Sequence, residues 1–196
     1  MFRKLFEEAL EKEAQKRDVF INEFRVSSGN HEELFSSYNI PYDEIISFSG
    51  SSGVGDENLD MPAFTNFFLN DGDAQAAIFI KDTVFEEDDE HNHLWKYIML
   101  IHEIGHVNDF RKSKYLNWKK RECDIVMSES FAEIYSIKYF SRRTDRYHRS
   151  CRGQLALRIL GFEHYGDDYK SIFQQILKTY PRKKLIQWSR SIHTNV

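Results

Sequence analysis

His102 and His106 stand four residues apart with Glu103 between them, in the run Ile101-His102-Glu103-Ile104-Gly105-His106. Residues four apart on a helix share a face, so both imidazoles can turn a ring nitrogen toward one ion. The intervening glutamate lies beside that face, within reach of a water on the ion. Zinc accepts imidazole donors and leaves a position open for water, whose pKa then falls to about 7. Glu103 is therefore the candidate general base, and one Zn2+ per chain is the expected cofactor. The neighbours Met99, Leu100, Ile101, Ile104 and Val107 are uncharged, which places the motif in mid-helix.

A third protein ligand has to come from elsewhere. The next helical stretch offers Glu129, Ala132, Glu133 and Ser136 on one face. Two carboxylates among small residues suit a close approach to the metal helix, and Gly105 permits that approach because it has no Cβ. Glu129 is the expected third ligand, and Glu133 the expected acceptor for a ligand histidine's free N–H. The exchange, with Glu133 on the metal, stays open, as does the blander reading of both as solvated helix charges. An oxyanion donor should face the ion. Tyr135, Tyr139, Tyr147 and His148 are the candidates, and their spacing does not choose among them.

His102-Glu103-x-x-His106 followed by a glutamate about 20 residues on resembles the gluzincin pattern of thermolysin-type and aminopeptidase-type zinc peptidases. In that pattern the second helix carries the glutamate ligand, often with an acid four residues later, as Glu129 and Glu133 do here. The metzincin pattern fails, because Asp109 and Lys112 stand where its glycine and third histidine belong. The chain length, the strand expected over 76–84 and the step from Glu129 to Ala132 look most like the small cytoplasmic ImmA/IrrE-like metallopeptidases and the minigluzincins. The resemblance covers residues 74–140. It implies a zincin-like fold and hydrolysis of peptide bonds in an intracellular protein or peptide. It also implies that strand 76–84 is an exposed edge on which an extended substrate adds. Two rivals follow. One is a catalytically silent zincin-fold protein that engages a partner such as a DNA-binding repressor. The other is a structural metal site with no open position.

The elements that must position these residues are legible as patterns. Phe2, Leu5, Phe6, Ala9, Leu10 and Ala14 follow helical spacing and open the chain with an amphipathic helix. A short helix is expected over 31–38, a short strand at Ile45, Ile46 and Phe48, and a loop over 47–58. The loop lacks the residues of a phosphate cradle. Runs 63–69 and 74–84 around Asn70-Asp71-Gly72-Asp73 read as a β-hairpin, since Asp-Gly supplies the positive φ of a tight turn. Helices are expected over 92–110, 122–141, 151–161, 167–179 and 182–192. The fold class is thus α+β: a small antiparallel sheet packed on the active-site helix, then a mostly helical C-terminal half.

With 196 residues, 41% apolar and 15% aromatic, the chain has the length and ring volume for one domain with a real core. We expect a single domain over 1–196, with an N-terminal helical and irregular part (1–60), a metal-site core (62–140) and a helical C-terminal part (141–196). No apolar run approaches the roughly 18 residues a bilayer span needs, and the charged start does not read as a signal peptide. Cys123 and Cys151 form no disulfide framework and read as small buried hydrophobes. A cytoplasmic protein without a membrane partner is expected. The net charge of −4 hides an asymmetry: residues 1–110 hold 8 Lys/Arg against 23 Asp/Glu, residues 111–196 hold 19 against 8. Arg142, Arg143, Arg146, Arg149 and Arg152 could meet phosphates, an acidic substrate or the chain's own acidic half. A pI near 6.1 and few interleaved aromatics argue against nucleic acid. His91 and His93 sit beside an acidic helix start and read as part of a cap rather than a second metal site.

Overall fold

The computed structural model describes residues 1–17, 20–24, 45–48, 63–70, 73–81, 89–112 and 125–192. Helix α1 (Phe2–Arg17) precedes strands β1 (Phe20–Phe24), β2 (Ile45–Phe48), β3 (Ala63–Asn70) and β4 (Asp73–Lys81). Helices α2 (Glu90–Lys112), α3 (Ile125–Ser141), α4 (Arg146–Gly161), α5 (Asp167–Thr179) and α6 (Arg182–Arg190) follow, with a 3-10 turn at Phe162–His164. The class is α+β and mostly helical. The expected helix over 31–38, the loop beyond Phe48 and Cys123 lie outside the described residues.

The hairpin forms where the Asp-Gly signal places it. Strands β3 and β4 pair antiparallel from Ala63 opposite Ile80 to Asn70 opposite Asp73. The sheet is larger than expected and mixed rather than purely antiparallel, in the order β1-β4-β3-β2. Strand β1 runs parallel to β4, with Phe20 opposite Ala77 and Phe24 opposite Lys81. A parallel partner is joined by a long crossover rather than a turn, so no local signal announced it. This corrects a further expectation: β4 lies between β1 and β3 and is not an edge. Among the described strands the edges are β1 and β2.

Alternation along β3 and β4 divides the sheet into two faces. Ala63, Phe67, Ala76, Ile78 and Ile80 join the core that α1 and α2 complete with Phe2, Phe6, Leu94, Ile98 and Ile101. Phe67 stacks on Phe110 of α2 with ring centroids 4.4 Å apart. Phe64, Phe68 and Phe79 on the other face are buried too. The core continues through Ile137, Phe140, Leu155, Ile159, Phe173 and Leu185, so α3 to α6 share it. Helix α2 begins as its acids require: Asp89 Oδ1 accepts from the Asn92 amide at 2.7 Å, an N-cap bond. His91 accepts from Trp95 Nε1 at 3.2 Å within the same turn. Cys151 is buried, and burial pushes its thiol pKa up. Among the described residues no helix is long and apolar enough to cross a membrane.

Helices α2 and α3 cross at Gly105. A Cβ built there would lie 2.8 Å from Ala132 Cα and 3.1 Å from its carbonyl oxygen. Those are backbone atoms and cannot swing aside, so the helices would have to separate. In an ordinary helix interior Gly→Ala gains up to about 1 kcal/mol, whereas overpacking a tight contact costs about 1–3 kcal/mol. Gly105→Ala is therefore expected to lower the melting temperature and, by moving α3, to weaken zinc binding. A variant that melts higher and binds zinc unchanged would show that the close crossing is not required.

Candidate metal centre

His102 and His106 lie on α2, and Glu129 reaches them from α3 across the Gly105 contact. His102 Nε2 is 3.2 Å from Glu129 Oε2, and His106 Nε2 is 3.4 Å from Glu129 Oε1. The two Nε2 atoms are 3.2 Å apart. An ion bound tetrahedrally at about 2.0–2.1 Å holds its donors about 3.3–3.4 Å from one another, the edge of that tetrahedron. The spacing therefore fits the ion. Among the described residues His102, His106 and Glu129 are the one group of this kind, and they could hold a metal ion.

The outer atoms of both imidazoles are placed as well. His102 Nδ1 faces Glu133 Oε1 at 3.4 Å, and His106 Nδ1 meets Ser128 Oγ at 3.1 Å. Glu133 is itself 2% exposed and is ion-paired to Arg158 of α4. Partners of this kind fix which nitrogen faces the ion and how the ring is turned. Glu133 thus touches His102 on the side away from Glu129.

Electrostatically, the cluster favours positive charge between its carboxylates. Burial works against a charged His102, but Glu133 and then Glu129 outweigh it and raise its pKa to about 10. Burial likewise opposes ionisation of Glu129, yet His106 and His102 hold it well below the ordinary value. Glu133 is lowered too, with Arg158 and His102 overcoming its burial. A buried carboxylate, Glu133, and a partly buried one, Glu129, persist here only with cationic company, which a divalent ion would supply.

Glu103 is 6% exposed, and its Oε2 accepts a hydrogen bond from Thr65 Oγ1 of β3 at 2.7 Å. The sheet thus sets the direction of this carboxylate. Thr65, Ser128 and Arg158 were not foreseen. The signal for Thr65 was a hydroxyl in the apolar strand Ala63-Phe64-Thr65-Asn66-Phe67-Phe68. For Ser128 it was adjacency to Glu129. Arg158 carries no local signal, since α4 must fold back before it meets Glu133.

The candidate oxyanion donors are distributed elsewhere. Tyr97 Oη lies 3.2 Å from Tyr139 Oη and 3.0 Å from His148 Nε2, and His148 Nδ1 is 2.6 Å from Asp145 Oδ2. Tyr97 stands about 180° round α2 from His106 at 3.6 residues per turn, so this network occupies the far side of the helix. Tyr147 packs edge-on against Phe2 at 5.3 Å, and Tyr135 lines a cleft on another face of α3. The structure brings Tyr139, Tyr147 and His148 into no hydrogen bond or ring contact with the three ligands. The arginine run is also divided: Arg143 stacks on Tyr139, Arg146 on Tyr147 and Arg152 on Trp188.

Asp145 starts α4 five residues before the expected boundary, because its carboxylate caps the Tyr147 and His148 amides. Burial lowers the His148 pKa below its ordinary 6.5, with Asp145 opposing only in part. A histidine lowered by folding adds stability above its unfolded pKa and loses it as pH falls through the folded one. Asp145 is lowered as well, the His148 contacts outweighing burial, so its contribution fades at still lower pH. Chelator-treated protein is expected to lose melting temperature as pH falls below about 6.5, and His148→Gln to flatten that slope. An equal slope in both would place the titration elsewhere.

Comparison with protein-family models, with curated proteins and with solved structures gives no match. The His102, His106 and Glu129 cluster near metal-binding distance is accordingly what supports the resemblance.

Proposed function

We propose that the chain is a gluzincin-like zinc peptidase with a zincin-like core, acting on an intracellular protein or peptide. The observation that supports this most is the 3.2–3.4 Å triangle of His102 Nε2, His106 Nε2 and Glu129 carboxylate oxygens, beside a glutamate held by the sheet. Zinc bound there supplies a Lewis acid for the scissile carbonyl and an acidified water. Glu103 takes the proton of the attacking water and delivers it to the leaving amine. Thr65 keeps the Glu103 carboxylate from rotating. Glu133, anchored by Arg158, holds the His102 ring, and Ser128 holds that of His106. With β4 inside the sheet, an extended substrate would add along an edge strand instead.

The test is cleavage of an unfolded protein substrate by the zinc-loaded chain. Activity lost on chelation and restored by zinc supports the reading. Stable zinc binding without hydrolysis of any peptide offered would favour the silent, partner-engaging protein. A chain that unfolds when stripped and binds no hydroxamate would favour a structural site.

A further inference from the structure

Helix α3 carries a second feature on the face turned away from its carboxylates. A cleft of about 580 Å³ is bounded by α1, the end of α2, α3 and the residues just after it. Lys138 on its wall stands about 180° round α3 from Glu129, so the cleft and the metal cluster occupy opposite faces. Among the described residues five cationic side chains line it (Lys16, Lys112, Lys138, Arg142 and Arg143) against one carboxylate, Glu13. Among the described residues none of these five makes an ion pair.

Like charges that line one cleft raise one another's energy, and a bound anion relieves them. One of them is already fixed for that task. Arg143 donates to the Tyr139 carbonyl at 3.0 Å and lies 3.7 Å over the Tyr139 ring, so its guanidinium loses little freedom on binding. Phe131, with Lys112 Nζ 5.8 Å from its ring centroid, Ile134 and Tyr135 add apolar surface next to the charge. The volume falls within the roughly 300–1,000 Å³ of small-molecule sites.

We propose that this cleft binds a nucleoside polyphosphate, with the phosphates among the lysines and arginines and the base against the Phe131 and Tyr135 wall. A single nucleotide matches the volume and the pairing of charge with ring surface. A polymer would need a basic track leading away, and among the described residues Arg146 and Arg152 are instead stacked on Tyr147 and Trp188. The proposal is independent of the peptidase reading, because no metal ligand lines the cleft.

The experiment is calorimetric titration of the full zinc-loaded chain with ATP, and separately with adenosine, inorganic tripolyphosphate and a single-stranded oligonucleotide. Lys138→Glu/Arg142→Glu is the matched variant. Both residues are exposed, and unchanged circular dichroism and zinc content check the fold. If the charge reversal perturbs the fold, Lys138→Gln/Arg142→Gln replaces it. ATP is expected to bind more tightly than either fragment, to weaken with salt, and to lose about tenfold or more in the variant, the scale of one charge-assisted hydrogen bond. No ATP binding, binding unchanged in the variant, or tripolyphosphate binding as tightly as ATP would overturn the proposal. Oligonucleotide binding that ATP does not displace would assign the cleft to nucleic acid instead.

Discussion

Glu103→Gln is expected to keep one zinc per chain and to lose about 10²–10⁴-fold in peptide hydrolysis, the usual share of a general base. The substitution is nearly isosteric. The new amide oxygen can still accept from Thr65 Oγ1, which holds the native carboxylate at 2.7 Å, so the side chain should stay in place. What disappears is the ability to take a proton from water and return it to the leaving amine. Because no metal ligand is touched, a change in kcat at constant zinc content separates base chemistry from site assembly. A variant as active as the wild type would remove Glu103 from the mechanism.

Glu129→Ala is expected to weaken zinc binding by about 10²–10³-fold, roughly one ligand's share of typical zinc-site binding energy. Glu133→Ala should cost less, about 10–100-fold, as for partners that orient a ligand ring. The difference follows from placement. Glu129 offers oxygens 3.2 and 3.4 Å from the two Nε2 atoms that face each other, whereas Glu133 meets His102 at Nδ1. Removing Glu133 also leaves Arg158 without its carboxylate, so this variant should lose stability as well as affinity. Larger zinc loss in Glu133→Ala than in Glu129→Ala would exchange their roles.

Local patterns in the chain carried the parts of the site that lie on two helices. The four-residue spacing of His102 and His106, the shared face of Glu129 and Glu133 and the missing Cβ at Gly105 are one-dimensional signals, and the structure brings those residues together. The Asp-Gly signal in the sequence likewise located the hairpin. What escaped depends on pairings between distant segments. Strand β1 joins β4 in parallel across a long stretch of sequence, and without that pairing β4 reads as an edge. Thr65 and Arg158 matter through contacts with Glu103 and Glu133, which nothing near them in sequence records. The candidate oxyanion donors are a related case. Their spacing on α3 and α4 gave no direction until Tyr97, on the far side of α2, gathered Tyr139 and His148 around itself.

This chain is expected to build a zinc site from His102, His106 and Glu129. Calorimetric titration of the metal-stripped wild type with Zn2+ tests it most directly, with His102→Ala/His106→Ala as the control. Saturation at one zinc per chain, absent from the control, is the expected result. No saturable binding to the folded wild type, or binding that survives loss of both histidines, would contradict it.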